Sequence, residues 1–547
     1  MSKAVASVDT EKVASTGDAL VSQQNTTLPG KQNERVGFSS IPNDTNQNDS
    51  SLTLQETSPD DRGIVYLQGV RFWPLASVIF IILFLSSIDV TITTTSLVAI
   101  TNDLGGFEMA SWVLSAYQLG CVALIVIIAK FSDILGRKPL FMGSVLAFGV
   151  FSGACAASQT TEAVPPEKLN LALVLALVQG PLLGGTISSH TTWKWIFLIN
   201  VPICAASLIL AQIGIPNGFP YHERTGPSRV ANHPTATKFA RLDLIGSALV
   251  LLVALLFTAC FQEADSRFPW KSAYVITLLI VSTALWAITL IYERHLTLYS
   301  KVREPVMPWR FFTHRVRAGV MVGFLLVGVP ATVTMFQLSQ RFQLVNGLSS
   351  IDAGVRILLF GLSFCGGSFA ASKLAGKLQM RSIYLILVGA VFQAVGFALL
   401  SVLKPSVDIR LAVYGYQVLC GFGVGLNYLT PYLLVPLTAD KRDTAVGIGL
   451  ATQCRVMGSA FGLAIVTSGF NGYLRSQLAK HGLPVNLANI EALLTKGQAT
   501  FTPDVAETIR NVLLEAYNRQ MLVVCAFSAA QTLVVLLIWK RQQTTAR

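Results

Sequence analysis

Lys130-Phe-Ser-Asp133-Ile-Leu-Gly136-Arg137-Lys138 is a short charged turn between two long apolar runs. An excess of Lys and Arg in short loops marks the cytosolic side of a membrane. Placing this turn on that side lets every other loop be assigned in order.

The composition supports lipid as the solvent. The chain has 547 residues, 52% hydrophobic and only 13% charged, against about 25% charged in soluble chains. Its net charge of +12 would suggest nucleic acid in a soluble protein. Here the basic residues lie in short loops between apolar runs, so no nucleic-acid partner is expected. All eight cysteines fall within apolar runs, and no disulfide framework is implied. No cleavable signal peptide is visible.

Residues 1–70 are rich in Ser, Thr, Asn, Gln and Asp. Such a segment cannot bury enough apolar surface to offset its ordering entropy, so a disordered cytosolic tail is expected. Its three glycosylation sequons, at Asn25, Asn43 and Asn48, are then never used.

Apolar runs follow, each near the ~20 residues a helix needs to cross a bilayer. They lie at about 74–100, 109–129, 139–158, 169–188, 195–214, 242–261, 272–292, 318–338, 353–372, 382–403, 410–437, 444–468 and 520–539. A long external loop is expected over 469–519, with two short helices at 486–496 and 504–518. Downstream of residue 189, the segments 215–241, 293–317, 373–381, 438–443 and the C-terminal tail hold eighteen basic residues, while the intervening short loops hold six. Those five segments belong inside. Thirteen spans cannot reconcile them with an inside turn at 130–138. One crossing is missing between Lys138 and about Leu169, where the polar join 159–168 holds no candidate helix: either a span has been lost here, or a neighbouring segment dips in without crossing.

Several local patterns match one family. Asp133-Ile-Leu-Gly136-Arg137-Lys138 resembles the loop between spans two and three of the major facilitator superfamily, with Ala129 and Ile134 replacing a usual glycine and arginine. Gln179-Gly180-Pro181-Leu-Leu-Gly184-Gly185 resembles the fifth-span signature of its antiporters. Trp193-Lys-Trp195-Ile-Phe197 and Gln453-Cys-Arg455-Val-Met-Gly458-Ser-Ala-Phe-Gly462 resemble its fourteen-span drug:proton branch, as do Asp89-Val-Thr91-Ile92 and Trp112-Val-Leu-Ser-Ala-Tyr117. Among that branch, fungal efflux pumps for secondary metabolites and toxins look most similar. The resemblance implies an all-α membrane protein with the major-facilitator fold: two pseudo-symmetric helical bundles plus two linker helices, about 13 spans visible of 14. It also identifies the missing crossing as span four. The implied division is a tail to 70, an N-terminal bundle and cytosolic linker over 71–241, linker helices and a basic loop over 242–317, a C-terminal bundle over 318–540, and a tail over 541–547.

Ionisable groups inside spans are costly and usually functional. Asp89 lies mid-span, as either a proton or substrate coupling group or a structural partner for Thr91 or Thr93. Arg455 is the second candidate, as a cavity-facing charge or a pair for an acidic group. The turn residues Asp133, Gly136, Arg137 and Lys138 are candidate gate residues, and Gly180, Pro181, Gly184 and Gly185 the antiporter-motif helix. Buried amides at Gln118, Gln337, Gln340, Gln393 and Gln417 suit either a polar cavity or interhelical hydrogen bonds. Gly421-Phe-Gly423-Val-Gly425 sits in an apolar span with no strand before it, so close helix packing is expected instead of a dinucleotide loop. The six histidines form no metal spacing, no cofactor is implied, and nothing supports an enzyme. The expected activity is proton-coupled efflux of a small amphipathic compound through a multi-pass protein of the cell or vacuolar membrane, both termini cytosolic, without an obligate protein partner. Import, for example of a siderophore, and a non-transporting truncated relative are the alternatives.

Overall fold

The computed structural model describes residues 73–82, 84–85, 92, 114–122, 137–153, 199–215, 243–300, 303, 305–376, 378, 380–403, 409–439, 444–482 and 503–539. The expected tail, the join at 159–168 and the run at 169–188 lie outside them.

In hydrocarbon no water is available to the backbone, so a spanning segment must satisfy its own N–H and C=O groups, and the apolar runs become helices. Three shorter apolar helices come first: α1 (Trp73–Ile82), α2 (Arg137–Gly153) and α3 (Asn200–Gly214). Eight helices among the described residues are long and apolar enough to cross a membrane. They are α4 (Leu244–Glu263), α5 (Ala273–Tyr299), α6 (Arg315–Leu344), α7 (Ser350–Gly376), α8 (Ser382–Ser401), α9 (Leu411–Thr438), α10 (Thr444–Lys480) and α11 (Pro503–Ile538).

Short polar side chains set several of the starts. Asp243 Oδ1 accepts from the Gly246 N–H at 2.9 Å and opens α4, and Ser272 Oγ accepts from Val275 N at 3.3 Å and opens α5. Ser349 accepts from the Asp352 N–H at 3.1 Å while its hydroxyl donates to Asp352 Oδ2 at 2.7 Å, a reciprocal cap on α7. Pro503 begins α11, where its missing N–H costs nothing.

Small residues then let the helices approach backbone to backbone. On α9, a Cβ at Gly421 or Gly425 would run into the Phe360 or Phe364 carbonyl of α7, and one at Gly423 into Gly389 and Gln393 of α8. The Gly421-Phe-Gly423-Val-Gly425 run is therefore a helix-packing element, as expected. Gly328 of α6 faces the Arg455 carbonyl of α10, and Gly458 of α10 faces the Leu325 carbonyl. The result is a bundle in which α9 lies between α7 and α8, and α6 between α10 and α11.

Two apolar cores occupy opposite ends of this bundle. One, at the Leu344 end, gathers Phe342, Phe470, Leu513 and Tyr517; the other, at the Trp539 end, gathers Phe311, Phe324, Leu450 and Val535. The helical segment 114–122 joins both, through Leu114 in the first and Leu119 and Val122 in the second. The pair α4–α5 leans on α10 through Phe257 and Phe461, ring centroids 4.5 Å apart. Their connecting turn is tied to the same helix, since Ser468 Oγ donates to the Ala264 carbonyl at 3.1 Å and Arg475 donates to that of Ser266.

The expected loop over 469–519 is shorter than its polarity suggested: α10 continues to Lys480 and α11 starts at Pro503. Hydropathy marks where hydrocarbon ends, not where helical hydrogen bonding stops. Beyond that boundary the two helices support each other, with the Arg519 guanidinium 3.9 Å from the Tyr473 ring centroid. The short helix expected at 504–518 is the first part of α11, and 486–496 lies outside the described residues.

Candidate substrate and coupling site

Arg455 of α10 is only partly buried, although it stands in an apolar helix. Its Nε donates to the Tyr432 hydroxyl at 3.2 Å, and its guanidinium carbon lies 4.9 Å from the centre of the Tyr428 ring. Both tyrosines come from α9, one turn apart and so on one face of the helix. The Tyr432 hydroxyl is 3.2 Å from Thr452 Oγ1, and Phe324 of α6 meets the Tyr432 ring edge-on at 4.4 Å. Among the described residues Arg455 has no carboxylate partner. An arginine held by a phenol and an aromatic face keeps most of its donors for another anion or dipole.

The backbone under Arg455 is fixed with equal care. Ser459 Oγ donates to the Gly328 carbonyl at 2.9 Å, and Thr332 Oγ1 donates to Ser459 Oγ at 3.1 Å. Gly458 and Gly462 close the same α6–α10 seam, against Leu325 and Val329. Thus the Gln453–Gly462 run places one charge and supplies the small residues that position it.

Two hydrogen bonds tie segment 114–122 to this region. Gln453 Nε2 donates to the Val122 carbonyl at 3.2 Å, and Gln262 Nε2 of α4 donates to Ser115 Oγ at 2.8 Å. Cys121 of the same segment lies near Arg455. Arg455 therefore sits where an early span meets the later bundle.

The candidate cavity amides separate into groups. Gln417 is fully buried with neither amide atom hydrogen-bonded, and Gln118 is buried with its Nε2 unpartnered. Gln337 and Gln340 are buried on α6. Gln393 instead joins α8 to α11, donating to Gln531 Oε1 at 3.1 Å. Asn427 of α9 completes this contact: with its amide nitrogen toward the Ile386 carbonyl, its oxygen lies 2.6 Å from Gln393 Nε2.

A family model described as Major Facilitator Superfamily matches residues 79–165 and 168–463. The chain belongs to the Major Facilitator Superfamily. MFS-type transporter FPY5 of Fusarium mangiferae is 31% identical, over 88% of this chain and 86% of its own. MFS-type efflux pump LUC4 of a Fusarium species is 24% identical, over 83% of each. A bacterial homolog of the human lysosomal transporter Spinster, solved in an inward-facing, unoccupied conformation, superposes with a TM-score of 0.56 at 13% identity, covering 87% of this chain and all of that one. The fold is thus the all-α major-facilitator fold, and the chain is a multi-pass transporter related to fungal efflux pumps.

Of the sequence-derived candidates in this transporter, Asp89, Asp133, Gly136, Gly180, Pro181, Gly184 and Gly185 lie outside the described residues. Arg137 is the first residue of α2, its side chain likewise outside. Lys138 donates to the Gln212 carbonyl at 3.2 Å, fastening α2 to α3. Sequence reasoning passed over Tyr428 and Tyr432. Their signal is two phenols four residues apart in an apolar span, legible only once α9 is known to face Arg455.

Proposed function

We propose that this transporter exports a small amphipathic organic compound, such as a fungal secondary metabolite, toxin or drug, in exchange for protons by alternating access across the cell membrane. The observation that carries this reading is Arg455, a partly exposed cation held against two tyrosines and, among the described residues, facing no carboxylate. Such a charge at the meeting of two helical groups suits a binding site that opens to alternate sides. The efflux pumps among its relatives support the direction of transport. Asp89 is the proton-coupling group in this reading, and Gln118, Gln337, Gln340 and Gln417 are polar groups that accept varied substrates. Asp133, Gly136, Arg137 and Lys138 form the cytosolic gate, which places both termini and the Trp539 end of the bundle inside.

The test is transport in sealed vesicles holding the purified chain, with rhodamine 6G as the probe. An inward-directed proton gradient should drive dye export, and a protonophore or Arg455→Ala should abolish it. Export that ignores the gradient would refute proton coupling.

We further propose that a segment the size of one span is absent near 159–168. The family match is interrupted at residues 166–167. The alignment with FPY5 runs over 517 positions while taking in 88% of 547 residues. That leaves roughly 36 positions without a counterpart here, enough for one span of ~20 residues and its loop. Sequencing the transcript across 155–170 decides whether the segment is truly missing.

A further inference from the structure

Another arginine, this one buried, lies in the same bundle, at the opposite end from the basic loops. Arg341 of α6 is only 6% exposed, its Nη1 has no hydrogen-bond partner, and among the described residues it makes no ion pair. The α6–α11 seam defines its surroundings. At the Trp539 end of this antiparallel pair, a Cβ on Gly319 would meet Leu537 and Ile538, and one on Gly323 would meet Val534. Continuing that register toward the Leu344 end sets Gln337 opposite Gln520 and Arg341 opposite Tyr517. Among the described residues, the Tyr517 phenol is indeed near Arg341. Gln520 follows one turn along the same face of α11, 2% exposed, with both amide atoms unpartnered. Thr334, one turn from Gln337, is fully buried with its hydroxyl unpartnered. The closest acid in the α11 sequence, Glu515, is exposed and faces Arg519 at 3.4 Å.

A well-packed membrane seam ordinarily pairs its polar groups. Here a guanidinium, an amide and a hydroxyl are left with unused hydrogen-bonding capacity along one seam, and among the described residues the charge has no counter-ion. The donors outnumber the acceptors, and arginine's planar fork matches a carboxylate. At 6% exposure Arg341 is out of reach of a lipid phosphate. We propose that Arg341, with Tyr517, Gln337 and Gln520, is a subsite for the anionic group of an organic acid, a carboxylate or phenolate carried by the exported compound. This assignment deepens the export reading and rests on it.

The test is binding, so that it succeeds or fails independently of transport. The purified full chain in lipid nanodiscs is titrated with benzoate, with isosteric neutral benzamide, and with chloride, and its thermal midpoint is followed. Benzoate should raise the midpoint, and benzamide and chloride at equal concentration should not. Arg341→Gln should weaken benzoate roughly tenfold or more, the range of a charge-assisted hydrogen bond. Arg341→Lys should fall between the two, and the unliganded Arg341→Gln midpoint should equal or exceed that of the wild type. Arg455→Ala should lose dye export yet keep the benzoate response. Equal protection by benzamide or chloride overturns the proposal. So does an absent benzoate response in the wild type, or one unchanged in both Arg341→Gln and Arg341→Lys. A lower unliganded midpoint in both variants, with the benzoate-to-benzamide preference intact, would make Arg341 a structural residue and overturn it equally.

Discussion

The Arg455 guanidinium carbon lies 4.9 Å from the centre of the Tyr428 ring, and among the described residues no carboxylate pairs with this arginine. A cation over an aromatic face contributes up to about 2 kcal/mol when desolvated. The ring, not its hydroxyl, supplies this attraction. Tyr428→Phe should therefore keep export within about threefold of the wild type, while Tyr428→Leu should lower it about tenfold or more, the equivalent of ~1.4 kcal/mol. Initial rates of rhodamine 6G export at matched protein levels provide the check. Equal damage from Phe and Leu would mean that the phenol acts through its oxygen.

Packing around this pair depends on the α6–α10 seam. A methyl group at Gly458 would collide with the Leu325 carbonyl, whereas Gly449 on the same helix faces open space. Gly458→Ala should destabilise the bundle by about 1–3 kcal/mol, the usual cost of overpacking. Gly449→Ala should be neutral or slightly stabilising, because alanine favours the helix. Thermal unfolding of the two variants in one detergent compares them directly. Equal midpoints would show that the seam can relax.

How much of this was legible beforehand differs by level. The spans could be placed because hydrocarbon imposes a length and an apolar composition, and eight of them coincide with described membrane-length helices. The Gly421–Gly425 run could be read as packing because nothing before it is a strand. Arg455 could be singled out because a charge in an apolar span is costly. Its partners could not: Tyr428, Tyr432 and Thr452 are ordinary residues until α9 and α10 are set side by side. Gln393 and Gln417 look alike in sequence, yet one is bonded across a seam to Gln531 and the side-chain amide of the other has no partner among the described residues. Neither amide advertises which. Helix ends beyond the bilayer were misplaced for a related reason, since polarity there no longer reports helix formation.

The link between segment 114–122 and α4 predicts a measurable coupling. Gln262 Nε2 donates to Ser115 Oγ at 2.8 Å with both side chains buried. Interhelical polar pairs in membranes average about 0.6 kcal/mol and reach about 1.7. A double-mutant cycle with Ser115→Ala and Gln262→Leu should return a coupling in that range, read from equilibrium unfolding in mixed micelles. Perfect additivity would mean the bond adds nothing to stability. Because the bond joins helices that separate if the bundles rock, both single variants should also change the export rate more than substrate affinity.

Proton coupling through Asp89 makes the sharpest kinetic prediction. If the inward proton is carried by this carboxyl, export requires protonation from the external side and release inside. A free aspartate titrates near pH 3.9, so over an external range of about 5 to 8 the protonated fraction falls as pH rises. Wild-type export should decline across that window. Asp89→Asn is fixed in a neutral form that neither gains nor loses the proton. It should lose accumulation against a dye gradient while retaining exchange of labelled for unlabelled dye, and its rate should be flat with pH. A variant that still pumps uphill, or keeps the wild-type pH slope, would move the proton site elsewhere and leave Asp89 as a partner for Thr91 or Thr93.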